Sequence, residues 1–152
     1  MIPAAFITDW GNTARWPTVD QIEQDLVLSR LIIEIANDDY LGNELMFRGG
    51  TCLHKLHLNP ALRYGEDLDY VRRSEGGIGV PLDAVRVIAD RLGMSVTTNI
   101  KSFPKVRLRA PVHVGERDDE RQGRCQHVRT LASARTHSGP VQGRQPVVPR
   151  HR

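Results

Sequence analysis

Two short runs hold residues whose types and spacing can do chemistry: Gly49-Gly50-Thr51 and, 15 residues further on, Asp67-Leu68-Asp69. Paired glycines where a strand passes into a helix leave backbone N–H groups bare, so an anion can come close to them and to the positive helix end. Thr51 adds a hydroxyl donor. On a strand, residues i and i+2 point to one face, so Asp67 and Asp69 hold two carboxylates side by side. Like charges that close repel, and a divalent cation relieves the repulsion. Hard oxygen ligands at this spacing suit Mg²⁺, with phosphate oxygens completing its shell. Either run alone also fits a plainer reading, a simple turn or a solvated sheet face. Occurring together, they supply both halves of a metal–nucleotide site.

The elements needed to position these groups are readable around them. Leu45-Met46-Phe47-Arg48 is a short apolar run that ends on the glycines, and residues 51–57 suit a short helix, so the order is strand, glycine turn, helix. Leu68 and Tyr70 alternate with Asp67 and Asp69, which predicts a strand with one apolar and one carboxylate face. Glu66, next to Asp67, falls on the opposite face by the same alternation. Thr18-Val19-Asp20-Gln21 reads as a capping box, with Thr18 accepting from the Gln21 amide and the Gln21 side chain reaching back. A helix follows to about Ala36, with Ile22, Leu26, Ile33 and Ala36 in a wide apolar stripe flanked by Leu28, Leu31, Ile32 and Ile35. Pro81 to Leu92 predicts another helix, with Val85, Ile88, Ala89 and Leu92 on one face and Gly93 as its stop. Ser95–Ile100 and Lys105–Leu108 read as further strands. The expected fold class is α/β (α+β): a small mixed sheet with flanking helices, packed by the helix over residues 18–38.

Composition bounds the rest. The chain has 152 residues, 39% apolar and 26% charged, enough for one core, and no apolar run approaches the roughly 20 residues that cross a bilayer. Residues 1–5 carry no Lys or Arg before their short apolar stretch, which argues against a secretory leader and makes the cytoplasm the expected location. The two cysteines, Cys52 and Cys125, form no Cys-x-x-Cys pair and suggest neither a disulfide framework nor a zinc knuckle. Charge is uneven. Residues 1–108 hold 12 Lys and Arg against 14 Asp and Glu, whereas residues 109–152 hold 9 Arg, no Lys and 4 acids. That tail also lacks Phe, Tyr, Trp, Ile and Met, has Leu131 as its single leucine, and shows no helical or strand periodicity. Two domains are therefore expected: a partial folded domain over 1–108 and a disordered basic tail over 109–152. The abrupt change to Arg, Pro, Gly, His, Ala and Val is what a GC-rich gene yields in a shifted frame. A natural basic arm that binds nucleic acid electrostatically is the other reading.

The run Phe47 to Leu56 (FRGGTCLHKL), followed by Arg63 to Tyr70 (RYGEDLDY), resembles the nucleotidyltransferase AbiEii toxin family of the DNA polymerase β-like superfamily. Residues 23–30 resemble the helix that precedes this motif, and the likeness covers residues 10–108, most specifically 47–70. It implies a bacterial toxin of a toxin–antitoxin or abortive-infection system, partnered by a cognate antitoxin. Such a toxin transfers a nucleotide from a nucleoside triphosphate to an acceptor such as tRNA. Position by position, it implies that Asp67 and Asp69 are catalytic and bind Mg²⁺, and that Gly49, Gly50 and Thr51 cradle the triphosphate. Lys55 and Arg63 are the nearest cations for phosphate contact, although Lys55 fits a solvated helix position equally well. His54 and His57, at i and i+3 without a third ligand, read as surface groups, and Cys52 as a small packing residue. Two departures stand out. Gly65 lies where relatives often carry Ser or Thr. The superfamily's third carboxylate and helical C-terminal part are not visible after Leu108, so a truncated protein with impaired catalysis is expected. The alternative is a non-catalytic remnant that binds an antitoxin, or RNA through its arginines.

Overall fold

The computed structural model describes residues 3–58, 64–99, 105–110 and 124–131. The chain runs through α1 (Ala4–Ala14), α2 (Val19–Asn37), α3 (Leu41–Glu44), β1 (Leu45–Arg48), α4 (Gly49–Leu56), β2 (Asp67–Arg72), α5 (Gly79–Arg91), β3 (Ser95–Asn99), β4 (Lys105–Ala110) and β5 (Arg124–Leu131). The strands form one sheet in the order β1-β2-β5-β4-β3. β2 and β5 are parallel and the other neighbours antiparallel, which is the expected mixed α/β architecture. No described helix is long and apolar enough to cross a membrane.

Local chemistry explains most boundaries. The Thr18 hydroxyl accepts the Gln21 N–H at 3.2 Å and starts α2, a cap worth about 1 kcal/mol. The reciprocal half of the expected box does not form, because Gln21 Oε1 is buried without a partner among the described residues. Pro81 sits inside the first turn of α5, where its missing N–H is no loss, so the helix begins two residues earlier than expected. At the other end Gly93 adopts φ 69°, its N–H bonds Asp90 O at 3.0 Å and the Met94 N–H bonds Ala89 O at 2.8 Å. This is the Schellman ending that glycine permits.

The core lies on one face of the sheet. Leu68 and Tyr70 from β2 and Val106 and Leu108 from β4 pack against Leu28, Leu31 and Ile35 of α2 and Leu82, Val85 and Ile88 of α5. Each such side chain contributes roughly 1.5–3 kcal/mol on burial. Burial lifts the Tyr70 phenol well above its usual range, and the Cys52 thiol nearby reinforces the shift. The buried stripe of α2 is turned from the expected one, for Ile33 is 52% exposed and Ala36 is also exposed. Residues 31–35 are apolar almost all round the helix, so periodicity does not choose a face, and contact with the sheet does. A buried ion pair closes one edge: Arg72 Nε donates to Glu44 Oε1 at 2.7 Å, and the Ser74 hydroxyl donates to the same oxygen at 2.7 Å.

The tail departs from expectation. β4 continues past residue 108 through Arg109 and Ala110, and β5 lies inside the sheet between β2 and β4. A strand set between two others draws its stability from backbone hydrogen bonds on both sides, which a count of core-forming side chains does not register. Val128 is the register partner of both Leu68 and Val106. The expected boundary at 108/109 therefore cuts through one sheet. The disorder and frame-shift expectations for residues 111–123 and 132–152 fall outside the described residues.

Candidate active site

β1 lies antiparallel to β2, and α4 begins on the residue after β1, with no intervening turn. This brings the glycines onto the acids. Gly49 has φ +81°, and a Cβ on it would stand 2.6 Å from Asp69 Oδ2, so both backbone conformation and space demand glycine. The Thr51 hydroxyl donates to the Asp67 carbonyl oxygen at 2.7 Å, stitching the first turn of α4 to the start of β2. Gly65 fits against Thr51, where a Cβ would lie 2.5 Å from Oγ1. A Ser or Thr at 65 would displace that contact, so this departure from the family pattern is matched by local packing.

Alternation along β2 buries Leu68 and Tyr70 and leaves Asp67 and Asp69 half-buried on the opposite face. Both carboxylates line a cavity of about 370 Å³ together with Gly50, Thr51, His54 and Tyr64. The first N–H groups of α4 have no intrahelical acceptors, and the helix end there carries partial positive charge. The Thr51 hydroxyl proton is already given to Asp67, so Thr51 offers an anion its main-chain N–H. Glu66 also lines the cavity. It precedes β2, whose first residue is Asp67, so strand alternation does not apply to it and its expected exclusion from the site does not hold.

The cations are arranged differently from the sequence expectation. Lys55 turns away from the cavity: its Nζ lies 2.7 Å from Asp25 Oδ1 and 2.9 Å from Ser29 Oγ. Trp10 Nε1 donates to the other Asp25 oxygen at 2.9 Å. Arg63 lies outside the described residues. Arg48 is exposed and is the register partner of Asp69, although it is not among the residues that line the cavity. The signal was present, because alternation from Phe47 puts Arg48 on the acid face. On the other side of β2, the register partners of Asp67 and Asp69 are His127 and Arg129. Neither is a carboxylate, and among the described residues no group of three or more His, Cys, Asp or Glu is arranged to hold a metal. His54 is half-buried rather than a surface group, and its Nδ1 has no partner among the described residues. Cys52 packs as expected, its Sγ 3.5 Å from Phe47 O, and burial raises its thiol pKa.

A five-stranded mixed sheet, with the acid pair beside a glycine-led helix start, is a fold this chain shares with a solved nucleotidyltransferase toxin. Among solved structures it is similar to the nucleotidyltransferase toxin MenT4 of Mycobacterium tuberculosis H37Rv, with a TM-score of 0.57 and 20% identity. That likeness covers 86% of this chain and 44% of MenT4, so this chain spans less than half of that protein's length. No protein-family model and no curated protein matches the sequence.

Proposed function

We propose that this chain is the nucleotide-binding portion of an AbiEii-type nucleotidyltransferase toxin, which moves a nucleotide from a nucleoside triphosphate to an acceptor such as tRNA. The observation that carries the reading is the fit of Gly49 against Asp69, tied by the bond from Thr51 to Asp67, because it joins an anion-binding helix start to a carboxylate pair. The donor set fits Mg²⁺: two hard carboxylates on one side of a strand, at a cavity with room for phosphate oxygens. When bound, the cation would neutralise phosphate charge and favour departure of pyrophosphate. Asp67 and Asp69 would hold it. The N–H groups of Gly49, Gly50 and Thr51 bind the phosphates, and Arg48 adds a positive charge beside Asp69. Confined in this way, the α-phosphorus is open to in-line attack by the acceptor hydroxyl. A cognate antitoxin is the expected protein partner.

Calorimetric titration of the full chain with Mg²⁺ and each nucleoside triphosphate tests the reading. Asp67→Ala should abolish Mg²⁺-dependent binding, and unchanged affinity in that variant overturns it. Labelled nucleotide appearing on tRNA would establish transfer.

One observation favours a second reading, a binder that no longer transfers. The positions across from the acids on β5 are His127 and Arg129, where a third carboxylate would serve catalysis. In that case nucleotide binds without transfer, and RNA is retained in a salt-sensitive way. The deletion that tests tail binding must start after Leu131, since removing residues 109–152 would take β5 out of the sheet. The gene's other reading frame beyond codon 108 bears on the tail's origin. A shifted frame there should encode periodic, core-forming sequence with an acidic strand residue, and a frame without it makes the basic tail native.

A further inference from the structure

A second cavity, of about 1060 Å³, lies between α1, α2 and α4 and takes no part in the chemistry above. Its volume is at the upper end of pockets that enclose small-molecule ligands, roughly 300–1,000 Å³. Thr51, His54 and Gly65 line both this cavity and the acid cleft, so the two share a wall. Away from that wall the lining includes Trp10, Trp16, Ile32, Ile33 and Leu56. The charged pair within it, Asp25 and Lys55, is mutually neutralised and hydrogen-bonded to Trp10 and Ser29. The cavity thus offers aromatic and aliphatic surface, with Arg15 as a further cation of its lining, which suits a flat group. Two buried ring nitrogens among its lining residues, Trp16 Nε1 and His54 Nδ1, have no partner among the described residues. A buried polar group left unmet is costly, so a ligand edge with an acceptor for the Trp16 N–H and a polar group complementary to His54 Nδ1 would gain from meeting them. Trp16 also packs edge-on against Tyr64 of the acid cleft, with ring centroids 5.6 Å apart, so one aromatic pair spans the partition.

We propose that this cavity holds a nucleobase, namely the base of the nucleotide whose phosphates lie at Gly49–Thr51, and so sets which nucleotide is used. The inference rests on the proposed function and adds to it a site for the base. The other source of the same chemistry is the terminal base of the acceptor.

The chain has two tryptophans, Trp10 and Trp16, and both line this cavity, so tryptophan emission reports its occupancy directly. The full chain is titrated, by emission and by calorimetry in parallel, with Mg²⁺ and each of the four nucleoside triphosphates. Mg²⁺ with inorganic tripolyphosphate, and a short single-stranded oligonucleotide with a free 3′ hydroxyl, form the comparison arms. At least one triphosphate should quench emission with the midpoint that calorimetry gives. Tripolyphosphate should bind without quenching and roughly five- to a hundred-fold more weakly, the span expected of base–aromatic stacking. Trp16→Ala should bring nucleotide affinity down to that of tripolyphosphate and leave tripolyphosphate affinity unchanged. Ile33→Trp, placed at an exposed position on the cavity wall, tests the same point without removing a packed ring: it should narrow the cavity and weaken nucleotide binding alone. A nucleotide that binds no more tightly than tripolyphosphate, or binds without any change in emission, overturns the base site and leaves the phosphate reading standing. Quenching by the oligonucleotide in place of the triphosphates overturns assignment to the donor nucleotide. No heat from any triphosphate or from tripolyphosphate overturns the proposed function, and the base site with it.

Discussion

Asp25 and Glu44 lie deep in the molecule, 3% and 7% exposed, and each meets a cation at 2.7 Å, Lys55 for the first and Arg72 for the second. Asp67 and Asp69 are half-buried and open onto a cavity beside the start of α4. The contrast separates buried, ion-paired acids from the acids of the candidate site. A carboxylate removed from water must bring its counter-charge with it, which locks both groups into the fold. Carboxylates on a cavity wall also stand where the charge of a bound ligand can reach them. The same contrast explains why Lys55, one turn along α4 from the glycines, joins α4 to α2 rather than serving the cavity.

The sharpest way to break this division is Asp69→Asn. Removing a site acid should take nucleotide transfer or Mg²⁺-dependent binding below detection and leave the unfolding free energy within about 0.5 kcal/mol of the parent. A large loss of stability on chemical denaturation would place Asp69 with the structural acids. Arg72→Met should do the reverse. It strands Glu44 and frees the carbonyls of Gly76 and Gly77 that Arg72 holds, so about 3–5 kcal/mol of stability is lost while the folded fraction still binds nucleotide. Lys55→Met should cost less, about 2–3 kcal/mol, because Lys55 retains 17% exposure and Trp10 still donates to Asp25. Its tripolyphosphate affinity should match the parent's, and a clear fall would return Lys55 to the phosphate site. The smallest effect is a pH slope. The Ser74 hydroxyl, with Arg72, holds the Glu44 carboxyl below its ordinary value of 4.5 against the opposing effect of burial. A depressed acid contributes stability that is present above its unfolded value and lost as pH falls through the folded one. Denaturation midpoints of the parent should therefore decline below about pH 4.5, and Glu44→Gln should flatten that decline.

Much of the site was legible because its rules are local. Alternation over four residues places Asp67 and Asp69 on one face, and a glycine pair before a helical run marks where an anion can approach. The Thr18 cap and the Gly93 stop were read for the same reason. What escaped the reading depended on partners far along the chain or on signals the chain does not carry. α1 has no side-chain cap at its start, and it ends on Arg15 in the left-handed region that usually selects glycine, so neither boundary announces it. β5 has Gln126, Val128 and Thr130 at register positions facing Leu108, Val106 and Tyr70, a row too polar to look like a strand. Which cation belongs to which acid was equally hidden, since Asp25 and Lys55 are 30 residues apart.

Residue order alone was enough to set the acid pair on one side of a strand, the bare amides at the head of α4, the start of α2 and the stop of α5, because each depends on dihedral preference or repeat period within a few neighbours. Folding had to settle that Gly49 meets Asp69, that Lys55 pairs with Asp25, and that residues 124–131 enter the sheet. These follow from which surfaces exclude water together and which backbone edges pair, quantities that belong to the whole packed chain and to no segment of it.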